Sequence, residues 1–434
     1  MTSRYIWMVI GFGVEFATPA VILILITNIF DPDTAGAWIV FTAILLTATK
    51  LREGVTENTL IKFSAGKSNS ERWSAYNALL VVSFVIELVS ITGITTFGWF
   101  FKEGTLGRLL LFYPILSVSQ IFVRWIRVIL TSEIRPQKVT FLNATVLALF
   151  CILYIIFRHD LANLVHFLYL YAASQFFTAL LFIKVVRFTP AWNIKYLKSV
   201  KKSFIEYGIN GLIRELLGTL SSRAFVFLSA GYVSMSAGAF TGIALQYSKI
   251  IHLINTAYQS LLYPQACDMV EKGLTKRISA FLIKSQSRLF AFFLLFITGF
   301  IAAFWFIIPF IHGPEYIEAL PYFLLLAISG AFISPMGHLF GSFMHAIHKP
   351  REVTRLITIN SALNLILSLS GVMLFGVWGT LAAPVIIDFF ALFWVAHIFD
   401  KYGYVNMWNV YLKIGSQLQL FVYVIKKSIR KLST

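Results

Sequence analysis

Charge is scarce in this chain of 434 residues and unevenly shared. Only 13% of residues are Asp, Glu, Lys or Arg, and 36 Lys and Arg stand against 19 Asp and Glu. With a mean hydropathy of +0.78, that leaves no room for a sizeable aqueous domain. The two cysteines, Cys151 inside an apolar run and Cys267 past a helix end, cannot build a disulfide framework or a cysteine metal site. No Gly-rich loop followed by Gly-Lys-Ser or Gly-Lys-Thr occurs, which excludes P-loop nucleotide hydrolysis. There is no Ser/His/Asp arrangement. His338, His345 and His348 gather near one helix end but lack a supporting carboxylate, and read as packing or interfacial side chains. The expectation is a chain that is not an enzyme and takes no metal or other cofactor.

Long apolar runs are what the sequence has in abundance. Twelve can be marked, at about 5–30, 34–63, 73–100, 107–132, 138–157, 162–186, 205–230, 235–264, 286–311, 317–344, 353–375 and 378–400. Each is long enough to cross a hydrocarbon core of about 30 Å. The first is too long for a signal-peptide core and is expected to stay as a helix. With the N-terminus cytoplasmic, the outward connections are Asp31–Asp33, Phe101–Arg108, Arg158–Asp160, Gly231–Ser234, His312–Glu318 and Gly376–Gly379. They hold only Lys102, Arg108 and Arg158 of the 36 basic residues. Seven more lie inside helices, and the rest crowd the opposite side and both termini, as the positive-inside rule requires. That placement accounts for the net charge of +17 without nucleic acid as a partner. The fold class is an all-α polytopic membrane protein with both termini cytoplasmic.

Residues 187–204 break the pattern. Trp192, Tyr196, Leu197 and Val200 recur at helical spacing, with Lys195, Lys198, Lys201 and Lys202 on the other side, which predicts a helix lying in the interface. It would link a bundle over 1–186 to a second over 205–400. The tail, 401–434, carries a further basic-amphipathic stretch, Leu418–Ile425 between Lys413 and Lys426, too short to span and expected at the membrane surface. The bundles repeat. Thr34–Ala37 opens helix two as Ser236–Ala239 opens helix eight; Arg135-Pro-Gln-Lys-Val-Thr140 matches Lys349-Pro-Arg-Glu-Val-Thr354. Six helices separate the copies, so both keep one orientation, a parallel repeat of the kind transporters use.

Ionisable groups within a bilayer cost about 2.5–3.5 kcal/mol each on insertion scales and so demand partners or a wet cavity. The basic ones are Lys50, Arg52, Arg124, Arg127, Arg214, Arg223 and Lys249, all candidates for binding an anionic cargo. Arg124, Arg127 and Arg214 are also within snorkelling reach of the interface. Lys50 and Lys249 lie at similar expected depth in the two copies. Lys50, Glu53 and Glu57 share one face of helix two, a stripe that either meets water and substrate or closes an internal Lys50–Glu53 pair. Arg223 has no local acid. Unpaired guanidinium and ammonium groups select anions, and Arg suits phosphate. Glu15, mid-helix beside Pro19, with Glu53 and Asp388, is a candidate for carrying a coupling ion. Pro114, Pro321, Pro335 and Pro384 are expected bends.

Several segments carry a resemblance. Asn28-Ile-Phe-Asp-Pro-Asp-Thr-Ala-Gly-Ala-Trp38, Leu220-Ser-Ser-Arg-Ala-Phe-Val-Phe-Leu228 with Ala237-Gly-Ala-Phe-Thr-Gly-Ile-Ala-Leu-Gln246, and Tyr258-Gln-Ser-Leu-Leu-Tyr-Pro-Gln265 resemble the polysaccharide flippases of the MOP superfamily. That family often has an acid just after the arginine matching Arg223; here Ala224 and Phe225 stand instead. The resemblance implies twelve helices in two pseudo-symmetric six-helix bundles forming a V in the bacterial inner membrane. It implies a cargo of undecaprenyl-pyrophosphate-linked oligosaccharide, flipped to the periplasmic leaflet by alternating access through a central cationic cavity. Membrane lipids, and a polysaccharide polymerase and glycosyltransferases, are the implied partners of an expected monomer. Three alternatives stay open. A multidrug or cation antiporter of the same superfamily would favour a more acidic cavity. A lipid II flippase would use two more helices. A membrane glycosyltransferase or polymerase would need longer outward loops than these, all about eight residues or shorter.

Overall fold

The structure, a computed structural model, describes residues 2–64, 68–133, 135–161, 163–347, 349–401 and 408–420, and no strand occurs among them. The chain divides by contact into two compact units, 1–227 and 228–434. The first contains α1 (Thr2–Ile29), α2 (Pro32–Ser64), α3 (Asn69–Phe100), α4 (Thr105–Leu111), α5 (Tyr113–Ser132), α6 (Pro136–Phe157), α7 (Leu164–Val186) and most of α8 (Ile194–Tyr232). The second contains α9 (Met235–Glu271), α10 (Thr275–His312), α11 (Ala319–Phe332), α12 (Ser334–Ala346), α13 (Pro350–Phe375), α14 (Val377–Lys401) and the short α15 (Trp408–Leu412). Nine helical stretches among the described residues are long and apolar enough to cross a membrane. The expected twelve runs all reappear as helix, two of them in two pieces. Large apolar side chains stay outside, among them Phe310, Phe306, Leu374, Val89 and Phe100. Outward-facing apolar surface on this scale is what a lipid-embedded helix presents.

The expected interfacial segment is held to the first unit by polar contacts. Arg187 ends α7 in the left-handed region at φ 53°. Asn77 Nδ2 of α3 then donates to the carbonyls of Thr189 (3.1 Å) and Ala191 (3.0 Å), while Ser74 Oγ accepts from the Asn193 N–H at 2.6 Å. Asn193 Oδ1 takes the Tyr196 N–H at 3.0 Å, a side-chain cap that starts α8. Tyr196 is buried, Leu197 and Val200 are half-buried, and Lys195, Lys198, Lys201 and Lys202 are exposed, while Trp192 of the expected apolar stripe is exposed as well. The helix does not stop at 204 but runs on unbroken as α8, and Trp192 lies before its first residue.

The repeat is visible in backbone geometry. Phe112 separates α4 from α5, and Ile333 separates α11 from α12. In each case a proline, Pro114 or Pro335, stands second in the new helix, and the N–H after it reaches back three residues, Ile115 to Phe112 at 3.2 Å and Met336 to Ile333 at 3.0 Å. A proline cannot donate to the preceding turn, which is why the break falls there. Pro321 and Pro384, the other expected bends, lie within continuous helices. The turns into α6 and α13 also agree. Arg135 (φ −111°, ψ 63°) and Lys349 (φ −117°, ψ 50°) each precede a proline, and each N–H bonds a carbonyl five residues back, Leu130 at 2.9 Å and Met344 at 2.7 Å.

Each unit has its own aromatic-rich core. In the first, Trp73, Tyr76, Trp125, Ile126 and Ile129 pack together. In the second, Phe290, Phe340, Phe343 and Phe399 do so, with Val410 of α15 among them. The α15 segment is fastened by Ser287 Oγ donating to the Val410 carbonyl (2.7 Å) and Tyr411 Oη to that of Phe332 (3.0 Å). Residues 421–434, which complete the expected amphipathic tail, lie outside the described residues.

Candidate functional site

In the first unit α1, α2 and α5 bring charged side chains together. A residue two positions along a helix is rotated by about 200°, one three along by about 60° the other way. Lys50 and Glu53 therefore share a face, and Lys50 Nζ meets Glu53 Oε2 at 2.5 Å. Arg52 points to the opposite side with Thr49 and Thr56, all three buried. On α5 the residues Tyr113, Ser117, Gln120, Arg124 and Arg127 fall at steps of four, three, four and three, one polar stripe on one face.

Two networks result. The inner one is enclosed: Arg52 pairs with Glu87 of α3, their side chains 3% and 2% exposed. Glu87 also accepts from the Tyr113 hydroxyl and from Ser117 Oγ at 2.6 Å. Thr49 Oγ1 reaches Gln120 Oε1 at 3.4 Å. The outer network is more open. Arg124 stands between two acids, 3.1 Å from Glu53 Oε1 and 3.5 Å from Glu15 Oε1. Arg127 grips Glu15 through both terminal nitrogens, one of them at 2.5 Å. Lys50, Glu15 and Arg124 keep 36%, 31% and 28% of their side-chain surface. Among the described side chains, three cations thus share two carboxylates.

These contacts correct the expectation of unpaired cations. Lys50, Arg52, Arg124 and Arg127 all have acidic partners, because helices that bury charge must satisfy it locally. Glu15 and Glu53, expected as ion-coupling groups, are the counter-charges. Arg223, on α8, has no acidic partner among the described residues. The side chains of Arg214, Glu57, His338, His345 and His348 lie outside the described residues, as does that of Cys267.

The second unit holds two further candidates, Lys249 and Asp388. Lys249 Nζ donates to Gln246 Oε1 at 2.9 Å, one turn back on α9. Asp388 of α14 accepts from Ser329 Oγ of α11 at 2.7 Å. It lines a cavity of about 400 Å³ with Ser334, Asn360, Phe340 and Val395. No cluster of three or more metal-ligating side chains occurs among the described residues.

Glu87, Tyr113, Ser117 and Gln120 were missed as site residues in the sequence. For Tyr113, Ser117 and Gln120 the signal is the helical stripe leading back along α5 from Arg127 and Arg124; for Glu87, on α3, it is a carboxyl inside a long apolar run.

No protein-family model matches the chain, and no curated protein matches it. Solved structures do. One is a lipid II flippase, MurJ, in an inward closed conformation, at a TM-score of 0.72 and 12% identity, covering 98% of this chain and 91% of that one. Another is an inward-facing multidrug resistance MATE family transporter of the MOP superfamily, at 0.67 and 13% identity over 96% of both chains. An outward-facing MATE family transporter matches at 0.61 and 15% identity over the same shares. The chain is a multi-pass helical membrane protein with the fold shared by these MOP superfamily transporters.

Proposed function

We propose that the protein is a flippase for a lipid-linked oligosaccharide carried on pyrophosphate, moved from the cytoplasmic to the periplasmic leaflet by exposing one site to each side in turn. The observation that carries this reading is the gathering of three cations, Lys50, Arg124 and Arg127, on partly exposed side chains. Guanidinium groups already aligned on carboxylates are preorganised to take a phosphate oxygen instead, and a bidentate phosphate contact suits Arg better than Lys. Arg223, in the same unit, would add positive potential, Lys249 would offer a cation from the second unit's own helix α9, and Arg52 would act by holding α2 in register rather than by touching cargo. The likeness to a lipid II flippase supports a lipid cargo.

A second reading keeps support from Glu15 and the likeness to MATE transporters. A carboxylate that is 31% exposed between two arginines could trade its partners for a cation, as a multidrug antiporter requires. The test separates the two. Proteoliposomes carrying a fluorescent polyprenyl-pyrophosphate oligosaccharide should show cargo reaching the far leaflet, and a Lys50→Ala, Lys249→Ala double variant should lose that transfer at unchanged insertion. Efflux of a cationic dye without lipid transfer would replace the flippase reading with the antiporter.

A further inference from the structure

A second ligand site stands away from the charge network, between the ends of α13 and α14. Glu352 and Arg355 on α13 face Phe390, Phe393, Trp394, His397, Ile398 and Lys401 on α14 across a groove of about 640 Å³, within the range of small-ligand sites. We propose that this groove holds the headgroup and upper acyl chain of an anionic glycerophospholipid. It is independent of the transport reading above.

Three observations carry the assignment. The groove has a charge gradient along its length. Phe390 and Lys401 are eleven residues apart, about 16 Å on a helix, and the lining changes over that distance from aromatic to basic. A phospholipid lying along a helix has the same order, chains then phosphate. Next, Arg355 and Lys401 outnumber the one acid, Glu352, with His397 beside them, and Arg355, His397 and Lys401 are exposed. Basic pockets between helix ends at the positively flanked membrane face are suited to anionic headgroups. Finally, the aromatic wall has the character of a membrane-interface belt. Arg355 lies over the Trp394 ring at 5.2 Å, and the indole N–H has no acceptor among the described residues. Phe389, Phe390, Phe393 and Trp408 are each about half exposed or more, and Phe393 meets the Phe389 and Trp408 rings at 5.1 and 6.2 Å. Such rings gain from apolar chains on one side and polar headgroups on the other.

The test is native mass spectrometry of the full chain in detergent with phosphatidylglycerol or phosphatidylcholine added. The wild type should retain phosphatidylglycerol at least about tenfold better, since each basic side chain near an anionic surface contributes about a factor of five. Arg355→Gln with Lys401→Gln should erase the preference, while Lys50→Ala should leave it intact. Lys401→Gln alone, at an exposed position, gives a smaller loss if the double variant fails to fold. Equal retention of the two lipids by the wild type would overturn the proposal, as would an undiminished preference in the variants. Stoichiometric displacement by farnesyl pyrophosphate, or by inorganic phosphate, would reassign the groove to cargo or to free phosphate.

Discussion

Arg52 and Glu87 form an ion pair between α2 and α3 that is almost completely enclosed. The pair uses only one terminal nitrogen of Arg52; the other is buried without an acceptor among the described residues. Removing one member of a buried pair typically costs about 3–5 kcal/mol, because the other charge is stranded. Arg52→Ala should therefore lower the melting temperature of the detergent-solubilised protein sharply. Arg52→Lys, which can replace the one contact made, should lower it much less. Equal melting of all three proteins would show that the pair contributes nothing.

Arg124 tests the outer network differently. Its guanidinium is shared between Glu15 and Glu53, and Arg124→Gln removes one of the three clustered cations. Lys50 and Arg127 keep a cation on each of the two acids, so the loss of stability should be smaller than for Arg52→Ala. The expected outcome is a stable protein with at least tenfold slower transfer of pyrophosphate-linked lipid in proteoliposomes. Unchanged transfer rates would remove Arg124 from cargo binding.

Gly54 and Gly211 permit α2 and α8 to touch backbone to backbone. A Cβ on Gly211 would sit 2.0 Å from the Gly54 carbonyl oxygen, and one on Gly54 would sit 2.7 Å from that of Gly211. Small residues at such crossings allow close helix approach in membranes. Gly211→Val should cost about 1–3 kcal/mol through overpacking, read as a lower melting temperature, whereas Gly218→Ala, with open space around it, should be tolerated. A Gly211→Val protein melting with the wild type would refute the close crossing.

Membrane potential supplies a test of cargo charge. An elementary charge crossing 100 mV is worth about 2.3 kcal/mol. Transfer of a doubly anionic head outward should accelerate when the starting side is made negative with a potassium gradient and valinomycin, and slow when the gradient is reversed. Indifference to the sign would mean the head crosses neutralised.

Topology is open to labelling. In a Cys151→Ser, Cys267→Ser background, a cysteine at Asp160 should react with an impermeant maleimide in intact cells, and one at Lys198 only after permeabilisation. The reverse pattern would invert the orientation read from the basic loops.

The helical runs were legible because the signal is local. Without water in the hydrocarbon, each crossing must satisfy its backbone by helical hydrogen bonding, so long apolar runs and basic flanks mark the crossings. The turn into α6 and the turn into α13 were legible for the same reason: a basic residue, a proline and a spacing shared by the two copies act within six positions. The charge network was legible only where it was local. Lys50 and Glu53 are three apart and could be paired on paper.

The amino-acid order alone determined that this chain is helical, membrane-embedded, duplicated and positively flanked, since those properties follow from hydropathy and spacing along one strand of residues. Tertiary structure decided which cation meets which acid. Arg52 with Glu87, and Arg127 with Glu15, join residues 35 and 112 positions apart. Their pairing depends on the rotation of each helix about its own axis and on which neighbour it touches, and side-chain packing sets both.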